Sequence, residues 1–305
     1  MGTPEFAVPS LDILLKEGYE VVAVVTQPDK PKGRGNKMSV SPVKEYALKH
    51  GIEVLQPERV KTSDFAEKIK KINPDLMVTA AYGKILPKSV LDVPKYGCIN
   101  VHGSLLPKYR GAAPIQWSII DGEKVTGITT MFTDVGMDTG DMLIKGEIEI
   151  TEYMTAGELH DKLSVLGAEV LKETLRKLKD GSLERVPQSD SEATYASMMT
   201  KDTGLIDWAK SSKEIHNLVR GTNPWPGAYT YYCGEKMKIW LTSNISEDTH
   251  NLKAGTICNV GRDGIIVACG IGKLIIKEVQ FECCRRMCVE DYICGHKMDE
   301  GEVLG

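Results

Sequence analysis

Residues 98–114 read Cys98-Ile99-Asn100-Val101-His102-Gly103-Ser104-Leu105-Leu106-Pro107-Lys108-Tyr109-Arg110-Gly111-Ala112-Ala113-Pro114. The run opens as a short apolar strand and ends in a glycine- and proline-marked bend. Side chains alternate faces along a strand, so Asn100 and His102 point the same way. A carboxamide and an imidazole therefore share one face at the C-terminal tip of a strand. Gly103 follows at once, and Pro107 is expected to close an apolar hairpin that could cradle a flat ligand. Open α/β sheets bind ligands at strand C-termini. A buried Asn and His satisfied by nearby backbone is the alternative that the spacing leaves open.

Outward from this strand the pattern alternates. Glu20–Thr26 is a β-branched run of the kind found in buried parallel strands. Ile52–Leu55, Asp75–Ala80 and Gly97–His102 read as further strands, with helices expected over Val8–Glu17, Pro42–His50, Ser63–Ile72 and Pro114–Ile120. Strand–helix alternation predicts an α/β, doubly wound (Rossmann-like) parallel sheet. Val125–Thr133 and Met142–Ile150 read as strands flanking a Gly-rich loop, followed by a long helix from about Thr155 to Lys179. Residues 183–200 are polar and weakly periodic, and read as a linker. Beyond them a helix over Lys213–Arg220 precedes five short strands, near 228–232, 236–241, 255–259, 264–268 and 274–279. That pattern suggests a small C-terminal OB-like β-barrel. The expected organisation is a catalytic domain over 1–182, a linker over 183–200 and the barrel over 201–305.

Composition narrows the class. The 305 residues are 42% hydrophobic and 26% charged, as expected of a globular protein with room for two domains. No apolar run approaches the ~20 residues of a membrane helix, and Met1–Phe6 lacks the basic start of a signal peptide. A cytoplasmic protein without a membrane partner is expected, with its eight cysteines as free thiols. The cluster Cys283, Cys284, Cys288, Cys294, His296 fits no common zinc spacing, so no metal is expected. Net charge is −4, yet residues 29–49 hold six Lys/Arg (Lys30, Lys32, Arg34, Lys37, Lys44, Lys49) against Asp29 and Glu45. Such a run is either a solvated loop or a contact for a polyanion.

A second polar loop, Asp134-Val135-Gly136-Met137-Asp138-Thr139-Gly140-Asp141, carries three carboxylates. With Asn100 and His102 it makes a carboxamide, imidazole and carboxylate set suited to acyl transfer onto an amine. The amide can meet a developing oxyanion, the imidazole can move a proton and the carboxylate can orient or charge the imidazole. No Ser or Cys lies in a nucleophile-elbow pattern, so direct attack by the acceptor is favoured over a covalent acyl-enzyme.

Asn100-x-His102-x-Ser104-Leu105-Leu106-Pro107 together with Met137-Asp138-Thr139-Gly140 resembles the 10-formyltetrahydrofolate-dependent formyltransferases. Gly2–Ala7, Thr26–Gly35, Gly204–Trp208 and Asn223–Ala228 resemble the branch acting on methionyl-tRNA, and the likeness runs almost end to end. The resemblance implies catalytic roles for Asn100, His102 and Asp138. It implies a tetrahydrofolate pocket lined by Ser104, Leu105, Leu106 and Pro107, with Ile85 and Leu86 in the Tyr82–Pro87 loop. The co-substrate would be 10-formyltetrahydrofolate, the acceptor initiator methionyl-tRNA, and the protein a monomer. Arg34, with Lys32 and Lys37, would meet the tRNA. A relative acting on a small amine would share the triad but have no use for the basic loop. Two departures stand out. Gly2-Thr3-Pro4 reads as the first loop of the sheet with only Met1 before it, so the central first strand is expected to be lacking. Cysteines occupy 283, 284, 288 and 294, where small or basic residues are expected.

Overall fold

The computed structural model describes residues 1–32 and 37–305. Two compact units emerge. One comprises Met1–Pro114, Val125–Glu149 and His160–Ser197; the other comprises Ile115–Lys124, Ile150–Leu159 and Met198–Gly305. Two stretches from before residue 182 thus belong to the same compact body as the C-terminal region.

In chain order, α1 (Val8–Lys16), β1 (Val24–Val25), the hairpin β2 (Lys30–Lys32) and β3 (Lys37–Ser39), α2 (Pro42–Lys49) and β4 (Val54–Leu55) come first. Then follow α3 (Ser63–Ile72), β5 (Met77–Ala80), α4 (Lys88–Leu91), β6 (Cys98–His102), β7 (Arg110–Gly111), α5 (Pro114–Ile120), β8 (Val125–Phe132), β9 (Met142–Glu149), α6 (Ala156–Asp180) and β10 (Tyr195–Ala196). Ser41 and Thr62 cap α2 and α3 through their hydroxyls, which explains where these helices start.

The sheet of the first unit is mixed. β1 and β4 pair in parallel, as do β5 and β6, but β8 pairs antiparallel with β6 and β9 antiparallel with β8, in the order β5-β6-β8-β9. The Rossmann-like α/β class holds, with a parallel part (β1–β4, β5–β6) extended by antiparallel strands where the expectation named only a parallel sheet. The loop between β8 and β9 is too short for a crossover, which needs a dozen or more residues, so the two strands form a hairpin. Only the last part of the Glu20–Thr26 run is a strand.

The β1–β4 pair and the four-stranded sheet are linked by Met1 and Gly2. Gly2 N–H donates to Val25 O, Ala80 N–H donates to Met1 O, and the Met1 amine donates to Val78 O at 2.5 Å. Alongside these two residues lies a cleft of about 490 Å³, bordered by Val21–Val25 and Leu76–Val78.

One side of β6 is closed by α6. A Cβ on Gly167 would come within 3.0 Å of Val101 Cγ1, and Thr130 Oγ1 meets Thr174 Oγ1 at 2.7 Å. Ile99, Val101 and Ile128 are buried on the sheet. Since Val101 faces α6, alternation turns Asn100 and His102 to the opposite face.

In the second unit, α7 (Ser212–Gly221) starts at a capping box formed by Ser211 and Glu214. β11 (Ala228–Tyr232), β12 (Glu235–Ser246), β13 (Ile257–Gly261), β14 (Gly264–Ala268) and β15 (Lys273–Phe281) form an antiparallel sheet in the order β11-β12-β15-β14-β13. β16 (Met287–Cys288) pairs with β15 and α8 (Val289–Gly295) follows. Met237, Ile239, Ile265, Leu274, Ile276 and Val279 make the core, each worth roughly 1.5–3 kcal/mol when buried. Arg220 is buried and donates to Asn217 Oδ1 and to the carbonyls of Thr151 and Met154. These bonds explain why Ile150–Leu159 belongs to this unit.

No helix among the described residues is long and apolar enough to cross a membrane.

His216 is buried between Thr242 Oγ1 and Glu152 O, and burial, then Arg220, holds its pKa below the ordinary 6.5. The unfolded chain therefore binds the proton more readily than the folded one. Stability from this group is present above pH 6.5 and is lost as pH falls from there through the folded value. His216→Gln should flatten the fall in urea midpoint between about pH 7 and pH 5. An unchanged slope would contradict the assignment.

Candidate active site

The site is built on the free face of β6. Its register with β5 sets Thr79 opposite Asn100. Thr79 Oγ1 donates to Asn100 Oδ1 at 2.9 Å. The amide oxygen is thereby occupied, and Asn100 Nδ2 has no partner among the described residues. A carboxamide fixed in this way presents its N–H groups as free donors.

His102 lies two residues on and is 5% exposed. Its Nε2 is 2.9 Å from Tyr109 O. A carbonyl can only accept, so Nε2 carries a proton, and in the neutral ring Nδ1 holds the lone pair. Nδ1 is 3.7 Å from Asp138 Oδ2, an approach too long for a hydrogen bond. Asp138 is itself fixed by Gly111 N–H, which donates to Oδ2 at 2.9 Å. Asp138 and Tyr109 both have left-handed backbones, at φ 54° and 60°. For non-glycine residues such φ values are uncommon and concentrate at functional sites.

The three groups predicted from sequence thus come together: an amide donor, a basic imidazole nitrogen and a carboxylate. Such a set can hold an oxyanion and accept a proton from an attacking amine.

The residues expected to line a ligand pocket divide. Ser104 Oγ donates to Lys108 O at 2.6 Å, and Thr129 Oγ1 bridges Ser104 O and Leu106 N. Leu105 and Pro107 are half-buried, but Leu106 is fully buried with Met131 and Met142. Ile85 is 49% exposed, whereas Leu86 is buried beside Tyr82 and Val90. Leu106 therefore presents no surface to a ligand, and Leu86 almost none. Residues 103–109 are a succession of bends with a cis Leu106–Pro107 bond, not the expected hairpin. Gln27 Nε2 donates to Tyr82 O and braces the Tyr82–Pro87 loop.

The basic run is also divided. Lys44 lies in α2, where it pairs with Asp29 at 2.5 Å and donates to Gln56, and Lys49 pairs with Glu45. Lys44 is thus committed within the fold, whereas the Lys49 pair is exposed to solvent. Lys32 and Lys37 belong to the β2–β3 hairpin, and Arg34 lies outside the described residues. Sequence reasoning missed Thr79. A threonine inside a strand gives no signal until the β5–β6 register is known. Among the described residues no cluster of three or more His, Cys, Asp or Glu side chains is arranged to hold a metal ion.

Comparison with known proteins fits this geometry. Residues 1–175 match a family model described as formyl transferase, and residues 198–297 match one described as formyl transferase, C-terminal domain. A protein of Acetivibrio thermocellus named methionyl-tRNA formyltransferase is 68% identical over all of this chain and 98% of its own length. Another of that name, from Caldanaerobacter subterraneus, is 56% identical over the same shares. Among solved structures, an N-formyltransferase from Helicobacter canadensis, in complex with folinic acid and dTDP-3-aminofucose, superposes with a TM-score of 0.68 at 22% identity. The match covers 90% of this chain and 96% of that one. At that identity the likeness speaks to fold alone.

The close approach of β7 to β10 yields a test. A Cβ on Gly111 would lie 2.6 Å from Ala196 O, and Gly111 has φ +121°. Gly111→Ala should cost about 2 kcal/mol or more, read as a lower midpoint in urea unfolding. A variant as stable as the parent would show that β7 can move aside.

Proposed function

The chain belongs to the formyl transferase family, and on that premise we propose that it moves the formyl group of 10-formyltetrahydrofolate to the α-amino group of methionyl initiator tRNA, for translation initiation. The full-length relatives named methionyl-tRNA formyltransferase support this choice of acceptor. One observation carries the chemistry: Asn100, His102 and Asp138 converge at the tip of β6, with His102 Nδ1 3.7 Å from the carboxylate.

10-Formyltetrahydrofolate supplies the carbonyl that is attacked. Asn100 Nδ2 donates to its oxygen as negative charge develops there. A free α-amino group has a pKa near 8 and attacks only when neutral. His102 Nδ1 accepts the proton that the amine gives up on attack. Asp138 stabilises the imidazolium and so keeps the proton available for the departing nitrogen. Tyr109 O holds the ring by its Nε2–H throughout.

Leu105, Pro107 and Ile85 present the surface of the proposed folate wall, with Ser104, Leu106 and Leu86 packed behind them. The Asn100 Nδ2–H groups, left outward by the Thr79 contact, and the exposed Ile85 side chain fit a flat ligand with a reactive carbonyl. Arg34, Lys32 and Lys37 are assigned to the tRNA. The second unit offers a one-sided basic and aromatic patch: Lys236 stacks on Tyr229, while Lys238 and Arg286 flank Trp240. Lys201 borders the same groove of about 380 Å³. Cations over aromatic rings suit an RNA backbone and its bases. We read the sheet of this unit, with its bulges along β12, as an OB-like barrel. The proposed functional division is catalysis over 1–182, linker over 183–200 and tRNA binding over 201–305, in a cytoplasmic monomer.

The direct test is transfer of labelled formyl from 10-formyltetrahydrofolate to purified methionyl initiator tRNA, with uncharged tRNA as control. Product should form with the parent and fall by about 10³-fold or more in His102→Ala. No product from folded protein would redirect the search to small amine acceptors.

Thr79→Val tests the amide lock separately. It should lower kcat about tenfold, the scale of one lost positioning contact, and leave the KM for the folate unchanged. An unaltered kcat would mean that Asn100 needs no help from Thr79.

A further inference from the structure

The polar segment after α6 reaches into the site. Gln188 Nε2 donates to Asp138 O at 2.8 Å and to Gly140 O at 2.7 Å. Its Oε1 accepts from Arg110 Nε at 3.0 Å. Both N–H groups of the amide are therefore spent on the loop that carries Asp138. Arg110 is 1% exposed, and its other side-chain tie is to Asp190, which is 88% exposed. A guanidinium can only donate, so it forces Oε1 of Gln188 towards itself and Nε2 towards the two carbonyls. A buried arginine is a costly way to gain stability alone, but it is an effective way to fix the orientation of an amide.

The same segment grips the rest of the site. β10 pairs with β7, with Arg110 N–H donating to Thr194 O and Ala112 N–H to Ala196 O, both at 2.9 Å. By alternation the Gly111 N–H between them is left for Asp138 Oδ2. Tyr109 N–H donates to Thr194 Oγ1, and Tyr109 O holds His102.

We propose that Gln188 is a positioning residue for Asp138, and that residues 188–196 form a strap that sets the carboxylate against His102. The proposal rests on Asp138 acting in formyl transfer, as read above. The strap works by geometry: Gln188 fixes the Asp138 main chain, Gly111 fixes its carboxylate, and Thr194 fixes the carbonyl that orients the imidazole. Arg110 and Asp190 act one step further out, through Gln188.

A double-mutant cycle on the full-length enzyme tests this. Formyl transfer to methionyl-tRNA is measured for Gln188→Met, Asp138→Asn and the double variant, with enzyme in excess so that slow residual rates are resolved. Gln188→Met keeps the length of the side chain and removes all of its hydrogen bonds. It should lower kcat by about tenfold and change the KM for either substrate by less than about twofold. In the Asp138→Asn background it should have no further effect, because its action runs through that carboxylate.

Equal slowing in both backgrounds, or a change confined to KM, would overturn the proposal, as would a kcat equal to the parent's. Should Gln188→Met fail to fold, Asp190→Asn reads the same chain of contacts from an exposed position. It should lower kcat by about threefold in the parent and not in Asp138→Asn; the same loss in both would count against the strap. A parent that transfers no formyl group would remove the underlying reading and the strap with it. An active parent indifferent to Gln188→Met would overturn the strap alone.

Discussion

Thr79 Oγ1 on Asn100 Oδ1 is the contact from which the chemistry of the site follows. A carboxamide has two nearly isosteric ends, one accepting and one donating, and an unrestrained Asn would present either to a ligand. Parallel pairing of β5 with β6 puts a hydroxyl beside it in the one register where Thr79 faces Asn100. The hydroxyl takes the oxygen and leaves the N–H groups outward. A shift of one residue would replace Thr79 by an apolar neighbour and turn it to the other face. The ladder of β5, β6 and β8 is therefore what gives the site its polarity, and α6, packed on the Val101 side, leaves the polar face of β6 free.

The imidazole and the carboxylate are held by a different means, in loops rather than strands. Tyr109 and Asp138 adopt left-handed backbones that cost of order 1–3 kcal/mol each for non-glycine residues. The cost is offset locally by hydrogen bonds: Tyr109 O with His102, Tyr109 N–H with Thr194, and Asp138 Oδ2 with Gly111 N–H. Each is worth about 1 kcal/mol net, and more where a charge is involved. Several ties on two strained residues over-determine their position. The nitrogen and the carboxylate lie 3.7 Å apart without a bond between them, so their spacing rests on these external ties.

Much of this could be read from the residues alone. Helix α3 falls on Ser63–Ile72 and α5 on Pro114–Ile120, as their caps and prolines indicate. The convergence of Asn100, His102 and Asp138 was also foreseeable, since period-two alternation decides the first pair and a Gly-rich loop marks the third. What resisted reading is non-local. The antiparallel attachment of β8 depends on which neighbour a strand finds, and Thr79 acquires meaning only through β6. Leu86 and Leu106 look like their neighbours Ile85 and Leu105 in sequence, yet the fold turns them into the core. Residues 183–200 lack periodicity because they bond through side chains and two-residue ladders, for which sequence has no periodic sign.

Charge shows the same distinction between amount and arrangement. Residues 201–305 hold thirteen Lys/Arg and fourteen Asp/Glu, so their sum says nothing of an RNA partner. The fold nevertheless gathers Lys236, Lys238 and Arg286 over Tyr229 and Trp240. The interaction with a polyanion is screened beyond about 8 Å at physiological salt, so a local cluster matters more than the total. The reverse holds for residues 29–49. That run is strongly basic by count, but Lys44 is held by Asp29 and Gln56 inside the fold. A nearly neutral module can carry a basic patch and a basic run can be partly structural, because what a phosphate meets is the charge within a few ångströms of it.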